Sequence, residues 1–144
     1  MKHVSVTEAH QLQAAGSTYV DVRSTQEFEA GHPAGAVNIP LLEPDDRGQM
    51  AQNPDFLRVM KATFPAGAPL LVGCQAGMRS LKAAQMLETF GFTDVTNVRG
   101  GFGGARDQMG TLVEPGWHTA GLPIETDAAP EHTYDALLEK ADKA

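Results

Sequence analysis

The feature that most constrains this chain is a short apolar run, P-L-L-V-G at residues 69–73, which ends at the only cysteine, Cys74. A run with no polar face favours a central parallel strand covered by helices on both sides. Short β-rich runs alternate with helical stretches along the rest of the chain, which predicts an α/β domain with a parallel sheet. Strands are expected near residues 3–6, 18–22, 36–39, 69–73 and 94–98. The first helix is expected to be capped by Thr7, with Leu12 and Ala15 on one face, and to end at Gly16. Ser24, with Glu27 three residues later, forms a capping-box pattern for the next helix, which Gly31 stops. Asn53 is the expected cap of a helix over 54–64, where Phe56, Leu57, Met60 and Phe64 fall at helical spacing. A further helix is expected over 80–90, with Leu81, Ala84, Met86, Leu87 and Phe90 facing the core. Residues 41–53 read as a polar loop. Glycine dominates residues 100–121, with a short helix candidate at 102–106.

The 144 residues fit one domain, with 42% hydrophobic and 20% charged residues, an ordinary globular mix. The expected division is a compact domain over residues 1–126 and an acidic linker with a helix over 127–144. That tail carries Asp127, Glu131, Asp135, Glu139 and Asp142 against Lys140 and Lys143. Its helix would set Tyr134, Leu137, Leu138 and Ala141 on one stripe, docked on its own domain or on a second copy. The net charge of -7 argues against a sequence-independent grip on nucleic acid or on anionic membrane. No apolar stretch is long enough to span a bilayer, and the first residues lack the apolar core of a secretory leader. One cysteine cannot form an internal disulfide or a cysteine-cluster metal site, and it fits a reducing cytoplasm.

The chemistry gathers where the central strand meets the next helix, C-Q-A-G-M-R-S. In an open α/β sheet, sites form at the carboxyl ends of strands. The first amides of the following helix lack intrahelical partners and, with the helix dipole, favour an anion. A thiolate at Cys74 is the anion to expect there. Gly77 lets the backbone turn close to the sulfur, and Arg79 adds a permanent positive charge. Asp21 and Arg23 end the strand at 18–22 near the same sheet edge. They are read either as support for the loop or, with Glu27, as a network fixing the strand–helix turn. His32 invites a cysteine–histidine reading. The other histidines, His3, His10, His118 and His132, show no ligand spacing, so neither a metal nor another cofactor is expected. The glycine pairs at 100–101 and 103–104 lack the phosphate-loop pattern and are read as close packing after a strand. Trp117 is expected in the core.

These segments resemble the rhodanese, or thiosulfate sulfurtransferase, family. C-Q-A-G-M-R-S is similar to its active-site loop. Y-V-D-V-R-S-T-Q-E-F-E-A-G-H-P-A-G-A-V-N-I-P is similar to its upstream signature, and V-R-G-G-F with P-G-W and G-L-P to its closing segment. The resemblance runs from about residue 4 to residue 124. It implies a small parallel sheet of about five strands between helices, with the cysteine loop at the end of the central strand. It also implies transfer of sulfane sulfur from thiosulfate or another persulfide donor to cyanide or a thiol, a protein thiol included, through a Cys74 persulfide. Gln75, Ala76, Gly77, Met78, Arg79 and Ser80 would cradle that sulfur, with Arg23 and Asp21 in support and His32 as a structural turn residue. Phosphatases on this fold carry five residues between cysteine and arginine. Here four stand between Cys74 and Arg79, which implies sulfur rather than phosphate or arsenate. A non-catalytic binding module is the other alternative; its usual mark is loss of the cysteine. The spacing from Gly101 to His118 is longer than in the smallest members, and the tail beyond Thr126 has no counterpart in the motifs. Oligomeric state and physiological donor are left open by the sequence.

Overall fold

The computed structural model describes residues 1–144. Five strands make the parallel sheet: β1 (Lys2–Val4), β2 (Thr18–Asp21), β4 (Val37–Asn38), β7 (Leu70–Gly73) and β8 (Val95–Val98). Their order is β1-β8-β7-β2-β4, so the strand that leads into Cys74 lies at the centre. The α/β expectation and the five parallel strands hold. Alternation along β2 and β7 sends Tyr19 and Leu71 to one face of the sheet and Val20 and Val72 to the other, in register. The first face packs on α1 (Val6–Ala14), α2 (Thr25–Ala30) and the buried Trp117. The second packs on α3 (Phe56–Thr63), α4 (Met78–Thr89) and α5 (Tyr134–Asp142). No helix is long and apolar enough to cross a membrane.

Several local expectations are corrected. Ser5, not Thr7, caps α1, because Ser5 and Glu8 stand at capping-box spacing and satisfy each other's amides. The expected cap Asn53 does not open α3, which starts at Phe56. Asn53 instead caps the turn just before it: its Oδ1 accepts from the Asp55 amide at 3.0 Å, while its amide nitrogen donates to the Pro40 carbonyl and the Tyr134 hydroxyl, at 3.0 and 2.9 Å. The polar stretch 41–53 is not a plain loop. It forms a hairpin of β5 (Leu42–Pro44) and β6 (Met50–Gln52), whose turn is closed by Asp45 Oδ1 accepting from the Arg47 and Gln49 amides. No helix forms at 102–106, because Gly104 and Gly116 pack backbone against backbone there. The chain instead makes a second hairpin, β9 (Ala105–Arg106) with β10 (Leu112–Glu114). The short β3 (His32–Pro33) pairs with β11 (Ile124–Glu125). Phe90 is exposed rather than core-facing.

The tail helix docks on its own chain. Tyr134, Leu137 and Ala141 are buried in the core cluster beside α3. Arg58 on α3 reaches Asp142 at 2.7 Å.

Candidate active site

The chain leaves β7 at Gly73 with no room for a side chain, because a Cβ there would overlap the Tyr19 hydroxyl. Cys74 follows and is 1% exposed, at the carboxyl end of the central strand. Gly77 adopts φ +110°, a conformation that favours glycine, and its amide donates to Cys74 Sγ at 3.1 Å. Helix α4 starts at once, at Met78, slightly earlier than the sequence suggested. Arg79 and Ser80 therefore lie in its first turn, and the amides of Met78, Arg79 and Ser80 lack intrahelical acceptors. The side chains of Gln75, Ala76 and Met78 stand in solvent, while Ser80 is buried and accepts from the Cys74 thiol at 3.5 Å. The Gly77 amide and a helix N-terminus thus meet at the sulfur, an arrangement suited to holding negative charge.

The two arginines do different things. Arg79 forms a two-pronged pair with Glu27, at 2.6 and 3.0 Å. Arg23 is buried and paired with buried Asp21, and it also donates to the Gly31 carbonyl at 2.7 Å. Its remaining nitrogen reaches Gln75 Oε1 at 3.3 Å, and its guanidinium lies 4.3 Å from the centre of the Phe102 ring. So Arg23 touches the loop as well as bracing the turn. The expected Asp21–Arg23–Glu27 network is corrected: Glu27 belongs to Arg79. Hydrogen bonds from Arg79, outweighing partial burial, lower the Glu27 pKa to about 2.

His32 is buried, with Nδ1 on the Phe28 carbonyl at 2.7 Å and Nε2 facing Glu125 at 3.3 Å. Neither ring nitrogen contacts Cys74, so it is no base for the thiol.

Sequence reasoning missed two supports. The Phe102 and Gly103 amides donate to the Cys74 and Gln75 carbonyls, at 2.7 and 2.9 Å, and clamp the loop from above. A Cβ on Gly101 would overlap the Cys74 carbonyl. The glycine pairs after β8 were the available signal, and close packing was the right reading of them. Asn97, which accepts from Ser80 at 2.8 Å, gave no signal, since it reads as an ordinary polar residue in a strand. A cleft of about 390 Å³ opens beside Arg79, lined by Ser24, Glu27, Leu42 and Met50 among others.

The sequence matches the family described as Rhodanese-like domain over residues 5–107. The chain belongs to this family. It is 46% identical over 99 residues to Thiosulfate sulfurtransferase 16, chloroplastic, of Arabidopsis thaliana, covering 69% of this chain and 82% of that protein. It is 39% identical over 99 residues to Rhodanese-like domain-containing protein 15, chloroplastic, of the same plant, covering 69% of this chain but 54% of that one. Among solved structures, Rv0390 from M. tuberculosis superposes with a TM-score of 0.73 at 26% identity, over 88% of this chain and 98% of that one.

Proposed function

We propose that this rhodanese-like chain is a sulfurtransferase that carries sulfane sulfur on Cys74, with thiosulfate as a competent donor. The observation that carries the reading is the sulfur of Cys74 at the mouth of α4, accepting the Gly77 amide at 3.1 Å. In the first step the Cys74 thiolate attacks the outer sulfur of thiosulfate. The S–S bond of the donor breaks and sulfite leaves with the electron pair. In the second step cyanide or a thiolate attacks the outer sulfur of Cys74–S–S⁻, and the Cys74 thiolate is restored. Splitting the transfer in two is covalent catalysis. The backbone donors of Gln75, Ala76, Gly77, Met78, Arg79 and Ser80 serve the anion in every state, and Arg79 adds charge at the loop exit. Arg23 and Asp21 hold the loop through Gln75. The relatives named as thiosulfate sulfurtransferases favour this donor. A reducing compartment such as the cytoplasm suits a carrier that must return to the thiol.

The test is intact mass after thiosulfate and removal of excess reagent. One added sulfur atom on the parent chain, absent from Cys74→Ser and discharged by cyanide as thiocyanate, is the expected result. An unchanged mass with the protein folded overturns the reading.

A further inference from the structure

Four side chains run in a line from the protein surface to the sulfur. The Cys74 thiol donates to Ser80 Oγ at 3.5 Å, and Ser80 donates to Asn97 Oδ1 at 2.8 Å. Asn97 Nδ2 in turn donates to His3 Nδ1 at 3.2 Å. His3 and Asn97 are direct partners in the parallel register of β1 and β8. Asn97 is 5% exposed and Ser80 is fully buried, whereas His3 lies exposed on the edge strand.

A serine hydroxyl has one proton and two acceptor sites. Three neighbours claim that proton at Ser80: Asn97 Oδ1 at 2.8 Å, the Gly77 carbonyl at 3.2 Å and Cys74 Sγ at 3.5 Å. The two carbonyl oxygens can only accept. While the proton rests on Asn97, the hydroxyl turns a lone pair to the sulfur. That suits a neutral S–H and withholds a donor from a thiolate or persulfide, whose charge is stabilised by donors.

We propose that Asn97 is a positioning residue for the chemistry at Cys74: its amide, oriented by His3, decides whether Ser80 accepts from the sulfur or donates to it. Turning the amide by half a rotation puts Nδ2 against Ser80 and Oδ1 against His3, with the heavy atoms almost where they were. Nδ2 then donates to Ser80 Oγ, the serine proton turns toward sulfur, and the exposed His3 gains its Nδ1 proton by exchange with solvent water, as a change of tautomer or as protonation. Only the direction of each hydrogen bond reverses; no proton travels from end to end. Arg99, which donates to the His3 carbonyl at 3.1 Å, sits beside this line with its partners Glu8 and Glu114.

The proposal rests on Cys74 being the sulfur carrier, yet its test needs no sulfur donor, so the two fail separately. Iodoacetamide alkylation of Cys74 in the full chain is followed against pH. Asn97→Leu removes the nearest acceptor and leaves the Ser80 proton to be shared between the Gly77 carbonyl and the sulfur, so the alkylation midpoint falls by about half a unit. Asn97→Asp holds that proton more tightly and adds negative charge, so the midpoint rises by about one unit. In a Ser80→Ala background the Asn97→Leu shift disappears. His3→Ala, on the exposed edge, moves the midpoint in the same direction as Asn97→Leu. Shifts of the same sign for the two Asn97 variants, or an Asn97→Leu shift that survives Ser80→Ala, overturn the positioning role. Where circular dichroism shows the Asn97 variants unfolded, an unchanged midpoint in folded His3→Ala overturns it instead.

Discussion

Glu27 grips Arg79 with both carboxylate oxygens, at 2.6 and 3.0 Å, across 52 residues of sequence. The same carboxylate completes the cap of α2, so one acid ties a helix start to the exit of the cysteine loop. The permanent charge beside the loop is thereby fixed in place and partly matched.

This pair predicts a pH-dependent contribution to stability. The Glu27 pKa is lowered from 4.5 to about 2, chiefly by hydrogen bonds from Arg79. A depressed carboxyl contributes its full stability above the unfolded value and loses it as pH falls through the folded one. Glu27→Gln should therefore cost about 1 kcal/mol at neutral pH, a figure kept small because the pair is partly exposed. The gap between parent and variant urea midpoints should close as pH falls from 4.5 toward 2. A gap that persists unchanged into that acid range would contradict the ion pair as its source.

The two arginines should separate stability from activity. Arg23→Ala strands the buried Asp21 carboxylate and should cost about 3 kcal/mol. Arg79→Ala loses a partly exposed pair, costing about 1 kcal/mol. In the folded fraction, Arg79→Ala should lower kcat/KM for thiosulfate by roughly tenfold to a hundredfold, more than Arg23→Ala does. Urea titrations and kcat/KM on both variants check the two orderings independently.

The glycines after β8 should differ in kind. Gly101 has φ +55°, and a Cβ would overlap the Cys74 carbonyl, which is backbone and cannot yield alone. Gly101→Ala should displace the loop, costing roughly 1–3 kcal/mol and most of the sulfur loading. Gly103→Ala would meet the end of the exposed Gln75 side chain, which can swing away at the cost of its 3.3 Å hydrogen bond from Arg23. Sulfur loading in Gly103→Ala should stay within a few-fold of the parent, as measured by intact mass.

The tail should matter for stability and little for chemistry. Tyr134, Leu137 and Ala141 are buried against α3, and none of the residues around Cys74 described above comes from α5. Ending the chain after Asp127 should lower stability by roughly 2–4 kcal/mol, from re-exposing about two large side chains. Thiosulfate turnover at low temperature should remain within a few-fold. An unmoved urea midpoint would show that the helix is not docked in solution.

Much of this protein was legible locally. The unbroken apolar run at 69–73 favours the middle of a covered sheet, and it delivers Cys74 to the sheet's carboxyl edge. Ser24 and Glu27 announced the start of α2, and Gly77 announced the bend under the sulfur. Thr7 was misread because Ser5–Glu8 and Thr7 compete within two residues, and burial of Val6 at 1% exposure favours the earlier start. The 41–53 hairpin was hidden because its pairing has little hydrophobic alternation and rests on Asp45 closing the turn.

By itself, the sequence determined the class of fold, the position of Cys74 and the loop that surrounds it, because each follows from short-range spacing. Tertiary structure alone decided which charges pair and which way the loop is held. Glu27 could have joined Arg23, four residues earlier in the same signature, but the approach of α2 to the head of α4 gave it to Arg79. The Phe102 and Gly103 amides, and the line from His3 through Asn97 to Ser80, are contacts between segments far apart in the chain. Hydrogen bonds act over about 3 Å and depend on direction, so they exist only once the sheet has set its register and brought these residues together.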